Sequence, residues 1–265
     1  MKKLFVYTSI LSIIILFVIS IEGFLKISTY SIVKDIEKRR ILKDTSKYSS
    51  LNTVHFLIKY NDGDENIATI TGDVLEEHYD EVCNKLECFP KDKNIVIIYN
   101  SEDDFRKALK FKNKDLPLGA YYCGTINILS PHMWSDGIEN VEEIYRKTGP
   151  HIHEFTHLLV DEKTKGNYPM WLTEGISLYM ENNIIGFSWD AGKGETSNIG
   201  IEELNDNFQG IKEEVAYRKS FEIVRDIIDK YGFDRFSSLL DSLGNGKNIK
   251  KSVEMSLKVK FKDID

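Results

Sequence analysis

An α+β fold is predicted by three features of the chain. Strand-like stretches occupy its first half, a helical pattern runs from residue 141 nearly to the C-terminus, and polar turn residues separate them. With 265 residues the chain can build one large domain or two small ones around a sizeable core. A net charge of −7 argues against a general nucleic-acid binder. Cys83, Cys88 and Cys123 make neither a disulfide scaffold nor a zinc-finger layout, because no CxxC pair is present.

Met1-Lys2-Lys3 precedes an uncharged run over residues 4–21, interrupted by Thr8, Ser9, Ser12 and Ser20. As a helix this run would span about 27 Å, close to the ~30 Å hydrocarbon core of a bilayer. Residues 1–25 therefore read as a signal peptide or a membrane anchor. Lys2 and Lys3 favour an inside N-terminus, while Lys26, Lys34, Lys38, Arg39 and Arg40 pull the other way. The signal-like layout favours a domain that is extracellular, or membrane-anchored and facing outside. Residues 26–50 are charged and polar and read as a stalk, a linker or a short amphipathic helix. A domain is expected over residues 51–255, followed by a C-terminal tail over 256–265.

Within that domain, residues 53–60 alternate, with Val54, Phe56, Ile58 and Tyr60 on one face of a half-buried strand. Residues 65–86 carry Ile67, Ile70, Val74, Tyr79 and Val82 at helical spacing. Ile95-Val96-Ile97-Ile98 is a continuous apolar run, as a strand buried on both faces requires. Ser101 before Glu102, Asp103 and Asp104 is a helix start, with the helix reaching about Phe111. Residues 125–129 are a third strand. Loops near Lys165, Asp190 and Gly244 divide the helical half.

His153-Glu154-Phe155-Thr156-His157 is an HExxH sequence. On a helix the two histidines share a face about 6 Å apart along the axis, so both imidazoles can reach one zinc ion. Glu154 can then lean toward the metal side as general base. Gly149-Pro150 suits the helix start and Gly166 its stop, and Ile152, Phe155 and Leu159 form a burying stripe. A catalytic zinc site wants three protein ligands and an open position. Glu174 lies seventeen positions beyond His157, inside the apolar stretch Pro169-Met170-Trp171-Leu172-Thr173-Glu174-Gly175. A solvent-facing acid is the ordinary alternative, but a carboxylate in apolar surroundings is costly unless it is paired or bound to a cation. His151 points to another side of the helix, and His55, His78 and His132 stand alone.

HEFTH followed by PMWLTEGISLYME resembles the gluzincin signature, and within it the peptidase MA-like domain of bacterial extracellular proteins. HFLIKYNDGDE, NIVIIYNSEDDFRKAL and GAYYCGTINIL resemble that family's N-terminal half. AYRKSFEIVRDIIDKYG resembles its helical C-terminal half. The resemblance covers residues 51 to about 250. It implies a zincin-like (gluzincin) fold, with a small N-terminal mixed sheet, an active-site helix and a helical C-terminal lobe. It implies Zn2+ on His153, His157 and Glu174, Glu154 as base, and hydrolysis of a peptide or protein substrate. The chain departs from the gluzincin aminopeptidases at Gly119-Ala120-Tyr121-Tyr122-Cys123, which carries no acid to hold a free amine, so an endopeptidase is expected. Thermolysin-like enzymes place a supporting acid four residues after the third ligand; here that position is Leu178, so support must come from elsewhere.

Tyr217 is the expected additional donor to the oxyanion, with a packed aromatic as the alternative. Thr125, Ile126, Asn127 and Ile128 are expected on an edge strand that pairs with an extended substrate, with a covered edge as the alternative. Two other functions fit the same residues: a zinc-containing cell-envelope binding protein with weak turnover, and a zinc hydrolase of non-peptide bonds. Glu154 favours the enzyme, because a binding module has no need of the base.

Overall fold

A computed structural model describes residues 26–112, 115–135, 139–186 and 198–265. The segment of residues 1–25 and the loop near Asp190 lie outside them. Five strands form one mixed sheet: β1 (Ser49–Asn52), β2 (Phe56–Tyr60), β3 (Asn94–Tyr99), β4 (Gly119–Tyr122) and β5 (Thr125–Leu129). Their order is β1-β2-β3-β5-β4. β2, β3 and β5 run parallel, while β1 and β4 are antiparallel to their neighbours.

Alternation across the strands assigns the two faces. Phe56, Ile58, Val96, Ile98, Ile126 and Ile128 meet α2 (Glu65–Leu86) and the later helices. Ile95, Ile97, Tyr99 and Leu129 meet Phe105 and Leu109 of α3 (Glu102–Leu109). β3 is thus covered on both faces, which is why its sequence is continuously apolar. α2 and β3 occupy the residues expected of them, and the side chain of Ser101 accepts from Asp104 N–H as the N-cap of α3. Val54 departs from its expected strand: it is exposed in the bend between β1 and β2.

The packed unit is wider than residues 51–255. Residues 26–44 form a helix, α1, as one of the readings of residues 26–50 had it, and this helix is docked on the domain. Ile41 is buried under the sheet, Arg40 donates to the Ala108 carbonyl, and Lys34 Nζ lies 2.5 Å from Asp161 Oδ2. Tyr30 also donates to Asp161. The C-terminal tail is likewise packed: Phe261 and Ile264 are buried, and Lys219 pairs with Asp265. The domain therefore includes residues 26–50 and 256–265.

The second half is helical: α4 (Val141–Thr148), α5 (His151–Thr164), α6 (Met170–Ile185), α7 (Ile201–Asn207), α8 (Glu213–Tyr231), α9 (Phe233–Gly244) and α10 (Ile249–Leu257). α6 packs on α5 and on α8. A Cβ on Gly175 of α6 would stand 2.4 Å from the Ser220 carbonyl of α8. Only glycine allows that approach, and it brings the start of α8 toward the residue beside it, Glu174.

Candidate metal centre

α5 begins after Pro150 and α6 after Pro169, and the short loop between them turns the chain back on itself. His157 meets Thr173 while His153 meets Glu181, a pairing that makes the two helices antiparallel. The two imidazoles therefore face α6 from consecutive turns of α5.

Nε2 of His153 lies 3.3 Å and Nε2 of His157 lies 3.5 Å from one oxygen of Glu174. Ligand atoms of these three residues all fall within 4.8 Å of one another. The opposite ring nitrogens are held as well: Nδ1 of His153 is 2.9 Å from Glu181 Oε2, and Nδ1 of His157 is 2.6 Å from Thr173 Oγ1. Such contacts fix ring orientation and leave Nε2 for a cation. Two imidazoles and a carboxylate, converging and oriented from behind, fit the donor set of zinc.

Charge balance at the site is local. Burial alone would lower the affinity of His153 for its proton, but Glu181 and Glu174 outweigh it and hold the value well above the usual histidine range. Burial would raise Glu174, yet His157 and the bonds from both histidines hold its carboxyl below the usual range. Glu154, on the same turn as His153, is pushed up by burial. Its Oε2 accepts the Tyr121 backbone N–H at 2.5 Å. A Cβ on Gly119 would come within 3.0 Å of Glu154 Cγ and closer still to Pro150, so β4 reaches Glu154 only as glycine.

Tyr217 arrives from α8. Its phenol bonds to Glu174, and burial together with that carboxylate pushes its pKa well up. His151 takes no part: it is buried against Tyr145, and burial lowers its pKa to about 3.

The expected substrate strand is corrected. Thr125, Ile126, Asn127 and Ile128 are fully buried, and β5 lies between β3 and β4. Asn127 is spent inside the sheet, on Thr125 and on the Ala120 carbonyl. The edge strand on this side of the sheet is β4. Its register and the bond from Leu129 N–H to the Leu118 carbonyl turn residues 118, 120 and 122 toward β5. Gly119 and Tyr121 consequently direct their peptide groups outward, to the side where Glu154 sits.

The sequence reading also missed Glu181, Thr173 and Tyr121. Glu181 had a usable signal: it lies seven residues beyond Glu174, two turns along the same helical face.

No curated protein matches the chain. The family model of the peptidase MA superfamily matches residues 87–262, from the end of α2 through the packed C-terminal segment. That match extends beyond the expected limit at residue 250 and covers more than half of the chain, including every residue of the His-His-Glu cluster. The mixed sheet with a helical remainder agrees with it. The chain belongs to the peptidase MA superfamily, a group of peptidases.

Proposed function

We propose that this protein is a zinc-dependent endopeptidase, with His153, His157 and Glu174 as ligands and Glu154 as general base. One observation carries the reading: both histidine Nε2 atoms converge on a single Glu174 oxygen while both Nδ1 atoms are engaged elsewhere. When bound there, zinc would supply Lewis acidity toward a carbonyl and acidify a water.

The chain's own groups do the rest. Glu154 takes a proton from the attacking water and returns it to the leaving amine, and burial raises the affinity of its carboxyl for that proton. Tyr121 N–H fixes its carboxylate beside the edge strand. Tyr217, at the ligand carboxylate, turns its phenolic O–H from Glu174 to the developing oxyanion as a hydrogen-bond donor and keeps its proton. The outward N–H of Gly119 and the outward carbonyls of Gly119 and Tyr121 pair with an extended substrate, by strand addition to β4, while Tyr121 N–H stays on Glu154. β4 carries no acid for a free amine, which supports endo- rather than exopeptidase action.

The same reading puts the domain outside the cell, tethered by residues 4–21 or released after them, on the strength of the basic start and the uncharged run. The test of the enzymatic part is a digest of a broad peptide library by the purified protein and by Glu154→Gln. Internal cleavage by the parent and its loss in the metal-retaining variant are expected. Equal cleavage by both would remove Glu154 from its role.

A further inference from the structure

α1 is amphipathic in the reverse sense. The side that faces the domain carries Tyr30, Lys34, Glu37 and Ile41, and the first three make polar contacts there, with Asp161 and Lys110. Its outward side carries Ile32, Val33 and Ile36, which are 61%, 52% and 59% exposed. At about 100° per residue these three share an arc about 100° wide, Arg39 and Lys43 prolong the same stripe over the next two turns, and the exposed Asp35 lies at its margin, one turn from both Ile32 and Arg39. A helix already secured by its polar side needs no aliphatic side toward water, so a cluster of large aliphatic side chains there marks a contact surface.

Sequence context names the contact. Only four residues separate Lys26 from the end of the uncharged run over residues 4–21. We infer that α1 lies along the surface of the bilayer that this run enters. Ile32, Val33 and Ile36 sit at the boundary of headgroups and acyl chains, and Arg39 and Lys43 meet anionic headgroups. The inference rests on the reading of residues 4–21 as membrane-inserted. A second copy of the chain is a poorer occupant: a two-fold contact centred between Ile32 and Ile36 would turn Lys43 toward Lys26, and Asp35 is the one acid beside the stripe among the described residues. The polar inner side of α1 now has its reason. Lys34 and Tyr30 clamp Asp161 of α5, and so fix the active helix to the element that lies on the bilayer.

The test uses the full chain reconstituted with vesicles of phosphatidylcholine and phosphatidylglycerol, 3:1, with or without bromine on the acyl chains. Val33→Trp is compared with Met255→Trp on α10, each against the parent's own tryptophan emission. The chain should float with the vesicles. Bromination should reduce the added Val33→Trp emission by roughly half or more, as a side chain ~5–10 Å deep requires, and should leave that of Met255→Trp unchanged. Flotation with no quenching at position 33 would overturn the inference and leave the membrane segment standing. Failure to float would overturn both.

Discussion

Asp161 on α5 and Glu174 on α6, which packs against α5, are both buried carboxylates, yet their surroundings differ. Asp161 is met by the Lys34 ammonium and by the hydroxyls of Tyr30 and Tyr121. Glu174 is met by the imidazoles of His153 and His157 and by the phenol of Tyr217. A lysine beside a carboxylate keeps its proton at neutral pH, so the Asp161 centre is closed and serves packing. Imidazole nitrogens can give up theirs to a metal, so the Glu174 centre can exchange protons for a divalent cation. The cost of burying a charge is offset in both places, but only one offset is exchangeable.

The comparison breaks most visibly at the base. Glu154→Gln should lower kcat by about 10²- to 10⁴-fold in a peptide-hydrolysis assay while zinc content stays at the parent level. Asp161→Ala, which leaves the Lys34 ammonium with Glu162 alone and takes the acceptor from the Tyr30 and Tyr121 hydroxyls, should cost about 1–3 kcal/mol in urea unfolding, the usual penalty for buried polar groups left without partners. Glu181→Gln weakens the orientation of His153 and should reduce zinc affinity about 10- to 100-fold in competition with a chelator.

Acidity sharpens the contrast further. The metal-free chain holds a proton on His153 that the loaded chain cannot hold, so it binds more protons than the loaded one. Zinc affinity should therefore fall as pH falls. Because Glu181 and Glu174 outweigh burial and raise His153, the slope should persist above pH 6.5, where an ordinary histidine has largely titrated. Calorimetry in buffers of different ionisation enthalpy would count the released proton. A flat affinity profile from pH 6 to 8 would contradict the exchange.

What the sequence disclosed follows the same division. The helix pair was legible because ligand spacing on a helix is local: His153 and His157 are four apart, and the apolar residues around Glu174 announce its burial. β3 was legible because a strand covered on both faces reads as a continuous apolar run. Strand order was not local. Thr125 to Ile128 gave no sign that β4 would fold back through Cys123-Gly124 and take the edge, and the partners of polar Asn127 are supplied by the sheet itself. α1 was the hardest element. Its domain-facing side is polar, so hydrophobic periodicity alone would have turned Ile32, Val33 and Ile36 inward.

Zinc content of the purified full chain is the most direct test of the exchangeable centre. After loading with zinc and desalting, elemental analysis should find about one zinc per chain in the parent and in Asp161→Asn. Little should remain in Glu174→Ala, His153→Ala or His157→Ala, each checked for folding by circular dichroism. Full zinc in folded Glu174→Ala, or its loss in folded Asp161→Asn, would contradict the assignment of the metal to His153, His157 and Glu174.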